Sequence, residues 1–352
     1  KGVKILYEAN RATSCLVEMD EEPPHPLNSE AVETVLTVAL MMKAKPVDEI
    51  HVMRKTVIDG SNTSGFQRTC VIALNGETKV GEKTVPIQHF GLEEDAARKT
   101  GEEQGNVTRY RIDRLGIPLI EVATAPVIKS PEEAEEVALA IGRVLRATGK
   151  VIRGLGTIRQ DINISIPGGA LMEIKGLQEL ELVPLVVEYE VQRQLNLIKI
   201  AEELKKTGAN EESLEQEFVE VTPVFEHTKC KVMRKALDGN GPVLAVTLRK
   251  FDGFLKRELM PGFRLGTEMA DRAKFWGRVG GIFHTDEMPA YGITLEEVEE
   301  LRKMVKAERE DAVVFVADKT ENARDALKAV VERARDALKG VPAETRAPNP
   351  DG

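Results

Sequence analysis

The chain has 352 residues, 42% hydrophobic and 30% charged, with a formal net charge of -9. That length allows two or three domains, and the acidic balance excludes nucleic-acid binding by global attraction while leaving room for local basic patches. The apolar runs are too short to span a membrane, and no signal peptide is visible. Cys15, Cys70 and Cys230 are far apart and form no CxxC pair, which disfavours a thiolate zinc site or a disulfide framework and fits a reducing cytoplasm. The chain opens at Lys1 rather than Met and closes in a Pro-rich segment, so it reads as part of a longer protein.

Residues 1–27 read as extended and irregular, with a candidate strand at TSCLVEMD and a loop at EEPPHP. Asn28-Ser29 offers an N-cap, and Val32, Val35, Leu36, Ala39 and Leu40 recur at helical spacing up to Lys45, where Pro46 closes the helix. Residues 47–59 predict a strand leading into GSNTSGFQRT, either a flexible surface loop or a segment able to approach a ligand closely. Val71–Leu74 predicts a short strand ended by a turn at Asn75-Gly76. The run Glu93-Glu94-Asp95 is either a solvated acidic face or a cluster of oxygen ligands for a hard cation; His89 reads as structural. In VTRYRIDRLGIPLIEVATAP, Gly116 and Pro118 break the chain and a second strand runs from Leu119 to Thr124. Glu121 sits inside that strand between Leu119-Ile120 and Val122-Ala123. Burying a carboxylate there is costly unless it is paired or bound to a cation, which makes Glu121 a site candidate.

Ser130-Pro131-Glu132-Glu133 is a capping box for a helix with Val137, Ile141, Val144 and Leu145 on its apolar stripe, ended by Gly149. From Gly156 to Leu177 the period is two. Ile158, Ile162, Ile164 and Ile166 share one face; Arg159, Asp161, Asn163 and Ser165 share the other. Pro167-Gly168-Gly169 is a turn, after which Ala170, Met172 and Ile174 alternate with Glu173 and Lys175. Keeping apolar side chains together pairs Ile166 with Ala170, Asp161 with Lys175 and Asn163 with Glu173. The polar face of this hairpin is either an ordinary set of cross-strand charge pairs or one wall of a site for metal and phosphate. A long helix over 183–206 is expected to bury Val187, Val191, Leu195 and Ile198. Asp238-Gly-Asn-Gly marks a candidate boundary. Beyond it, PVLAVTL and AVVFVAD predict strands, Thr294 with Glu297 a capping box for a helix reaching Glu308, and Thr320 the cap of a helix that Gly340 stops. Residues 242–340 read as a compact α+β domain.

Glu93, Glu94, Glu121, Asp161 and Glu173 thus come from separate strands and loops, with basic and amide groups between them. No HExxH, CxxC, GxSxG or P-loop is present, so zincin, thiolate and serine-hydrolase chemistries are poorly supported. Several carboxylates with Arg and Lys suit Mg2+ held against the phosphates of a nucleotide. The segments RIDRLGIPLIEVATAP, SPEEA, GTIRQDINISI, EIKG and EYEVQRQ, in that order, closely resemble the core of the B/E subunits of tRNA-dependent amidotransferases, the GatB/GatE family. LEEDAARK resembles the family's LEEDA signature. Residues 236–276 look like the insertion shared by bacterial-type aspartyl-tRNA synthetases and the archaeal E branch of the family, and absent from the B branch.

The resemblance covers essentially the whole chain. It implies an α+β fold: a glutamine-synthetase-like cradle of antiparallel sheet and helices over 1–240, an inserted aspartyl-tRNA-synthetase-like (GAD) domain over 241–342, and the start of a return to the cradle over 343–352. It also implies a carbon–nitrogen ligase with glutamine as amido donor. ATP, with Mg2+, would phosphorylate the glutamyl side chain of Glu-tRNA(Gln), and ammonia supplied by a partner protein, GatD, would then give Gln-tRNA(Gln). Carried over position by position, Glu94, Glu121 and Glu173 match catalytic acids. Glu93, Glu94, Glu121, Asp161 and Glu173 match the metal-binding set, and Arg159 and Lys175 are expected near phosphate. The B branch has a His two residues before the acidic pair; that position here is Gly91, so His89 is left unassigned. One rival reading is a tRNA-binding module or synthetase fragment without chemistry, for which Arg249, Lys250, Lys256, Arg257 and Arg264 speak. Another is a generic Mg2+-dependent nucleotide hydrolase, which has no need of the insertion.

Overall fold

The computed structural model describes residues 4–101 and 107–349. Packing divides the chain into two compact units, Lys1–Arg159 with Gln178–Glu181, and Gln160–Leu177 with Leu182–Gly352. The fold is mixed α and β in both.

In the first unit, β1 (Lys4–Glu8) is followed by α1 (Ser29–Met41). The TSCLVEMD segment between them makes turns, not a strand, with Asp20 N donating to Val17 O. The Asn28 side chain accepts from Ala31 N at 3.0 Å and caps α1. The helix stops short of Lys45, because the residue before a proline is driven to extended backbone. Lys45–Pro46 accordingly forms β2 against the sheet. The remaining strands are β3 (Met53–Thr56), β4 (Phe66–Val80), β5 (Lys83–Glu94), β6 (Arg98–Lys99), β7 (Val107–Arg111) and β8 (Pro118–Thr124), followed by α2 (Pro131–Ala147). The main antiparallel sheet has the order β2-β4-β5-β8, with β3 also on β4; β1, β7 and β6 make a second, small sheet. The expected turn at Asn75-Gly76 is not one: β4 runs through it, and Gly81 makes the turn at φ 59°. Gly76 serves close packing instead, since a Cβ there would stand 2.7 Å from the Phe90 ring. The Ser130 hydroxyl accepts from Glu133 N at 3.1 Å, while the Glu133 carboxylate accepts from Lys129 N, one residue before the cap. Residues of α1 and α2, among them Val35, Val38, Ala39 and Leu145, cover one face of the sheet, built from Cys70, Ile72, Phe90 and Leu92.

The second unit begins with the hairpin β9 (Gln160–Ile164) and β10 (Met172–Leu177), then α3 (Val183–Thr207), β11 (Val219–Glu220), α4 (Lys231–Asp238), β12 (Val243–Leu248), β13 (Glu258–Met260) and β14 (Phe263–Arg264). It continues with α5 (Leu265–Gly277), β15 (Phe283–His284), α6 (Leu295–Met304), β16 (Ala312–Ala317), α7 (Thr320–Lys339) and β17 (Glu344–Arg346). β12 and β16 lie side by side at the centre of a four-stranded antiparallel sheet. Apart from Thr247 both are apolar, because both faces are covered. Residues of α3, α5 and α7 pack with Leu244, Val246, Val314 and Val316; residues of α4 and α6 pack with Val243, Ala245, Val313 and Phe315. The capping box of α6 forms in full, with Glu297 N on Thr294 Oγ1 and Thr294 N on Glu297 Oε2. The helix ends at Met304 rather than Glu308, and Lys306 takes φ 52°. Thr320 is the first residue of α7 and not its cap: Asp318 Oδ1 accepts from Lys319 N and Asn322 Nδ2.

The buried face of α3 differs from the expected one. Val183, Val186, Glu190, Arg193, Gln194, Leu197, Ile200, Ala201 and Leu204 are buried, whereas Leu195 is 55% exposed and Val187, Val191 and Ile198 are only partly covered. Apolar spacing misidentifies the face because the true one includes charged residues that are dry only through their partners. Arg193 holds Glu190 in a fork at 2.8 and 3.1 Å and reaches Glu268 of α5 at 3.1 Å, and Arg333 of α7 reaches Glu268 at 2.6 Å.

Candidate functional site

Strand period two decides what the acidic run can do. Glu93 pairs with Thr69 on β4 and Leu119 on β8, and Gly91 pairs with Val71 and Glu121. Glu93, Gly91 and Glu121 therefore share the face of the sheet opposite α1 and α2. His89 and Lys55 join them: His89 Nε2 stands 3.4 Å from Glu121 Oε2, and Lys55 Nζ 3.6 Å from Glu93 Oε1. Glu94 turns to the other side, where Arg68 Nε donates to it at 2.8 Å and the same guanidinium donates to His25 O. The acidic pair thus parts across the sheet and does not converge. Among the described residues, no three His, Cys, Asp or Glu side chains come together closely enough to hold a metal ion on their own.

Glu121 is not the buried carboxylate that its neighbours in sequence suggest. β8 is an edge strand with one covered face. Ile120 and Val122 point into the core while the Glu121 side chain stays 45% exposed. Gly91 makes room for it: a Cβ at that position would lie 3.1 Å from Glu121 Oε2 and 3.3 Å from Cys70 O. His89, Gly91 and Lys55 carry no functional signal of their own in the sequence. Continuing the alternation from Glu121 across its strand neighbours would have found them.

Asp95, the last acid of the run, is nearly buried and anchors the loop after β5. It accepts from Arg114 Nε at 3.1 Å and from its neighbour Ala96 N, and Arg159 Nη2 stands 3.6 Å away. Arg159 thus has a carboxylate partner in this unit. The GSNTSGFQRT segment is pinned rather than loose. Ser61 N and Oγ bond Asp59 Oδ1, Tyr110 Oη donates to Asp59 O, Tyr7 Oη donates to Gly60 O, and Asn62 is buried.

In the second unit the hairpin has the two faces its sequence predicts. Ile164, Met172 and Ile174 are buried; Asp161, Asn163 and Lys175 are exposed. Asn163 lies opposite Glu173, as expected. The register then shifts between Ile174 and Leu177, so Asp161 is not directly paired with Lys175. The shift comes at Gly176, φ 77°, whose N donates to Asp161 Oδ1 at 2.8 Å. Lys175 Nζ still reaches Asp161 at 3.9 Å and Glu173 at 3.1 Å, and Thr345 Oγ1 of β17 donates to Glu173 at 3.1 Å. Asp161, Glu173 and Lys175 are therefore brought together on one surface.

Four of the five basic residues beyond 240 that suggest nucleic-acid binding, all but Lys256, have a carboxylate partner. Arg249 bonds Asp311, Lys250 Glu310, Arg257 Glu203 and Arg264 Glu287. These four pairs lie at the surface of the unit, with the basic side chains a third to a half exposed.

A profile of the GatB/GatE catalytic domain matches residues 6–239, and a GAD domain profile matches residues 233–327. The E subunit of glutamyl-tRNA(Gln) amidotransferase from Aeropyrum pernix is 57% identical across 100% of this chain and 55% of its own length. The proteins of the same name from Pyrococcus furiosus and Methanocaldococcus jannaschii are each 55% identical across 100% of this chain, and 56% and 55% of their own lengths. The chain spans about half the length of these curated relatives. With both profiles in sequence and full-chain identity of this order, the chain belongs to the GatB/GatE family, in its archaeal GatE branch.

Proposed function

We propose that the full-length protein converts Glu-tRNA(Gln) to Gln-tRNA(Gln) with ATP, and that the glutamyl side chain is activated over the open face that carries Glu121. A carboxylate is a poor acylating agent and an acyl phosphate a good one. One carboxylate oxygen attacks the γ-phosphorus of ATP, the bond from that phosphorus to the β,γ-bridging oxygen breaks, and ADP leaves. The lone pair of ammonia then attacks the acyl carbon, the carbon–oxygen bond to phosphate breaks, and the adduct loses a proton to give the amide. Ammonia is taken from glutamine by a partner protein, GatD, and the reaction runs in the cytoplasm.

The donors on the open face suit a hard cation in kind: Glu93 and Glu121 offer carboxylate oxygens, and Lys55 and His89 stand 3.6 and 3.4 Å from them, loose enough to exchange. Mg2+ held there would neutralise charge on the transferred phosphoryl group. Glu121, which Gly91 lets lie close to the backbone, orients the reacting groups with His89 beside it. Glu94, committed to Arg68, fixes the end of β5 and so the direction of Glu93. On the hairpin, Asp161 and Glu173 are a second set of acids for a nucleotide-bound metal. Lys175 is proposed to take phosphate, as is Arg159 of the first unit.

The observation that carries the reading is the match of this entire chain to E subunits of glutamyl-tRNA(Gln) amidotransferases. Glu121→Gln in the full-length protein tests it. Phosphoryl transfer to the charged tRNA is expected to fall by about a thousandfold or more, as for loss of a group that stabilises transition-state charge, with tRNA binding retained. Normal transfer in that variant contradicts the assignment.

A further inference from the structure

The second unit contains a dry ionic cluster far more elaborate than its packing needs. Arg193 and Arg333 have no exposed surface, and Glu268 and Glu190 are 3% and 4% exposed. Glu268 is the hub. Arg193 Nη1 donates to both of its oxygens at 3.1 Å, Arg333 donates to Oε1 at 2.8 and 2.6 Å, and Arg346 Nη1 stands 3.8 Å away. Burying such groups costs desolvation that their attraction barely repays, so a cluster of this kind is weak evidence for stability and better evidence for a fixed arrangement.

Two chains of contacts lead from Glu268 to the hairpin, the first through hydrogen bonds and the second through the looser ion pair with Arg346. In the first, Arg193 holds Glu190, Gln194 Nε2 donates to Glu190 at 2.9 Å, and Gln194 Oε1 accepts from Ala170 N at 3.2 Å, at the hairpin's turn. The fit there is close: a Cβ on Gly169 would stand 2.2 Å from Gln194 Oε1. In the second, Arg346 belongs to β17, which lies parallel to β10 with Glu173 opposite Thr345 and Ile174 opposite Arg346. The Thr345 hydroxyl donates to Glu173 itself. Arg272 of α5 bonds Glu344, so the start of β17 is tied to the same helix as Glu268. One buried carboxylate on α5 thereby reaches both the turn and the edge of the hairpin.

We propose that Glu268, inside the stretch matched as the GAD domain, is a positioning residue for Asp161, Glu173 and Lys175. It sets the hairpin's turn through Arg193, Glu190 and Gln194, and the hairpin's edge through Arg346 and Thr345. This inference rests on the proposed role of Asp161 and Glu173 as acids for a nucleotide-bound metal. It gives the inserted domain a mechanical part in the chemistry.

The test is amide hydrogen exchange and steady-state kinetics on full-length Glu268→Gln, Gln194→Met and Thr345→Val. In the first two, exchange at Ala170 and Gly176 is expected to rise about tenfold, while β12 and β16 keep their protection. The kcat for ATP-dependent amidation is expected to fall by about tenfold as the acids lose their geometry, with KM for charged tRNA unchanged. Thr345→Val, which removes only the bond to Glu173, should lower kcat by about threefold. Lys339→Ala, at the end of α7, which breaks an exposed pair with Glu211, should move neither readout. Should Glu268→Gln fail to fold, Gln194→Met and Thr345→Val carry the test, since the first removes two hydrogen bonds and the second one, and neither removes a charge. Unchanged hairpin exchange in Gln194→Met overturns the proposal. Raised exchange with full activity leaves the mechanical link standing and overturns the hairpin's place in the site.

Discussion

The open sheet face and the buried ionic cluster use the same residue types to opposite ends. On the sheet, Lys55 stands 3.6 Å from Glu93 and His89 3.4 Å from Glu121, whose side chain is 45% exposed. In the cluster, Glu190 and Glu268 are almost sealed, and Arg193, Arg333 and Arg346 crowd around them. A carboxylate whose partners are distant and wet loses little by exchanging them for a metal or substrate. One that is dry and fully committed cannot change partners without stranding a buried charge. On the proposed reading, function and architecture are separated by how tightly each acid is already held, not by how acidic the neighbourhood is.

That contrast is open to direct attack. Glu121→Gln should cost about a thousandfold in rate and leave thermal stability within about 0.5 kcal/mol of the parent, as for a surface change; calorimetry beside the assay checks both. Glu268→Ala should show the reverse order of effects, losing about 3–5 kcal/mol of stability by leaving arginines without their counter-charge, read from denaturant unfolding. The same cluster sets a pH dependence. Burial raises the pKa of Glu268, but Arg333, Arg193 and Arg346 outweigh it and bring the carboxyl down to about 2 from an ordinary value of 4.5. Because the folded value is the lower one, the contribution is present above pH 4.5 and is lost as pH falls through about 2. It amounts to roughly 3 kcal/mol, and unfolding curves across that acid range should lose it in the parent and not in Glu268→Gln. Gly91→Ala pushes a Cβ against Glu121, and the carboxylate can yield. The expected result is about a tenfold loss of rate through misplacement with little change in melting temperature. Lys55→Ala removes an exposed partner of Glu93 and should alter stability by no more than about 0.5 kcal/mol. A larger loss would mean that the open face is held as firmly as the cluster.

The hairpin was legible in the sequence down to which side chains share a face, because strand alternation is geometric and needs no partner. The caps at Asn28, Ser130 and Thr294 were legible for the same local reason. α3 was not. Its buried face carries Glu190 and Arg193, and a rule that follows apolar spacing cannot see a charge kept dry by residues 75 and 65 positions apart along the chain, as Arg193 and Arg333 are from Glu268. Glu121 shows a milder failure. Its apolar neighbours alternate away from it, and an edge strand with one open face leaves it in water. Adjacency in sequence makes Glu93 and Glu94 look like a pair, although their own strand sends the two side chains to opposite faces. Asn75-Gly76 has turn composition, yet the glycine is required by the Phe90 ring.

The most direct test of the central claim follows an oxygen atom. Full-length protein with its ammonia source is given ATP and Glu-tRNA(Gln) labelled with 18O in the glutamyl side-chain carboxylate, and the released phosphate is analysed by mass spectrometry. Activation over the Glu121 face predicts one 18O in each phosphate formed with amide product, and loss of that transfer in Glu121→Gln with tRNA still bound. Unlabelled phosphate accompanying amide, or full label transfer in the variant, would contradict it.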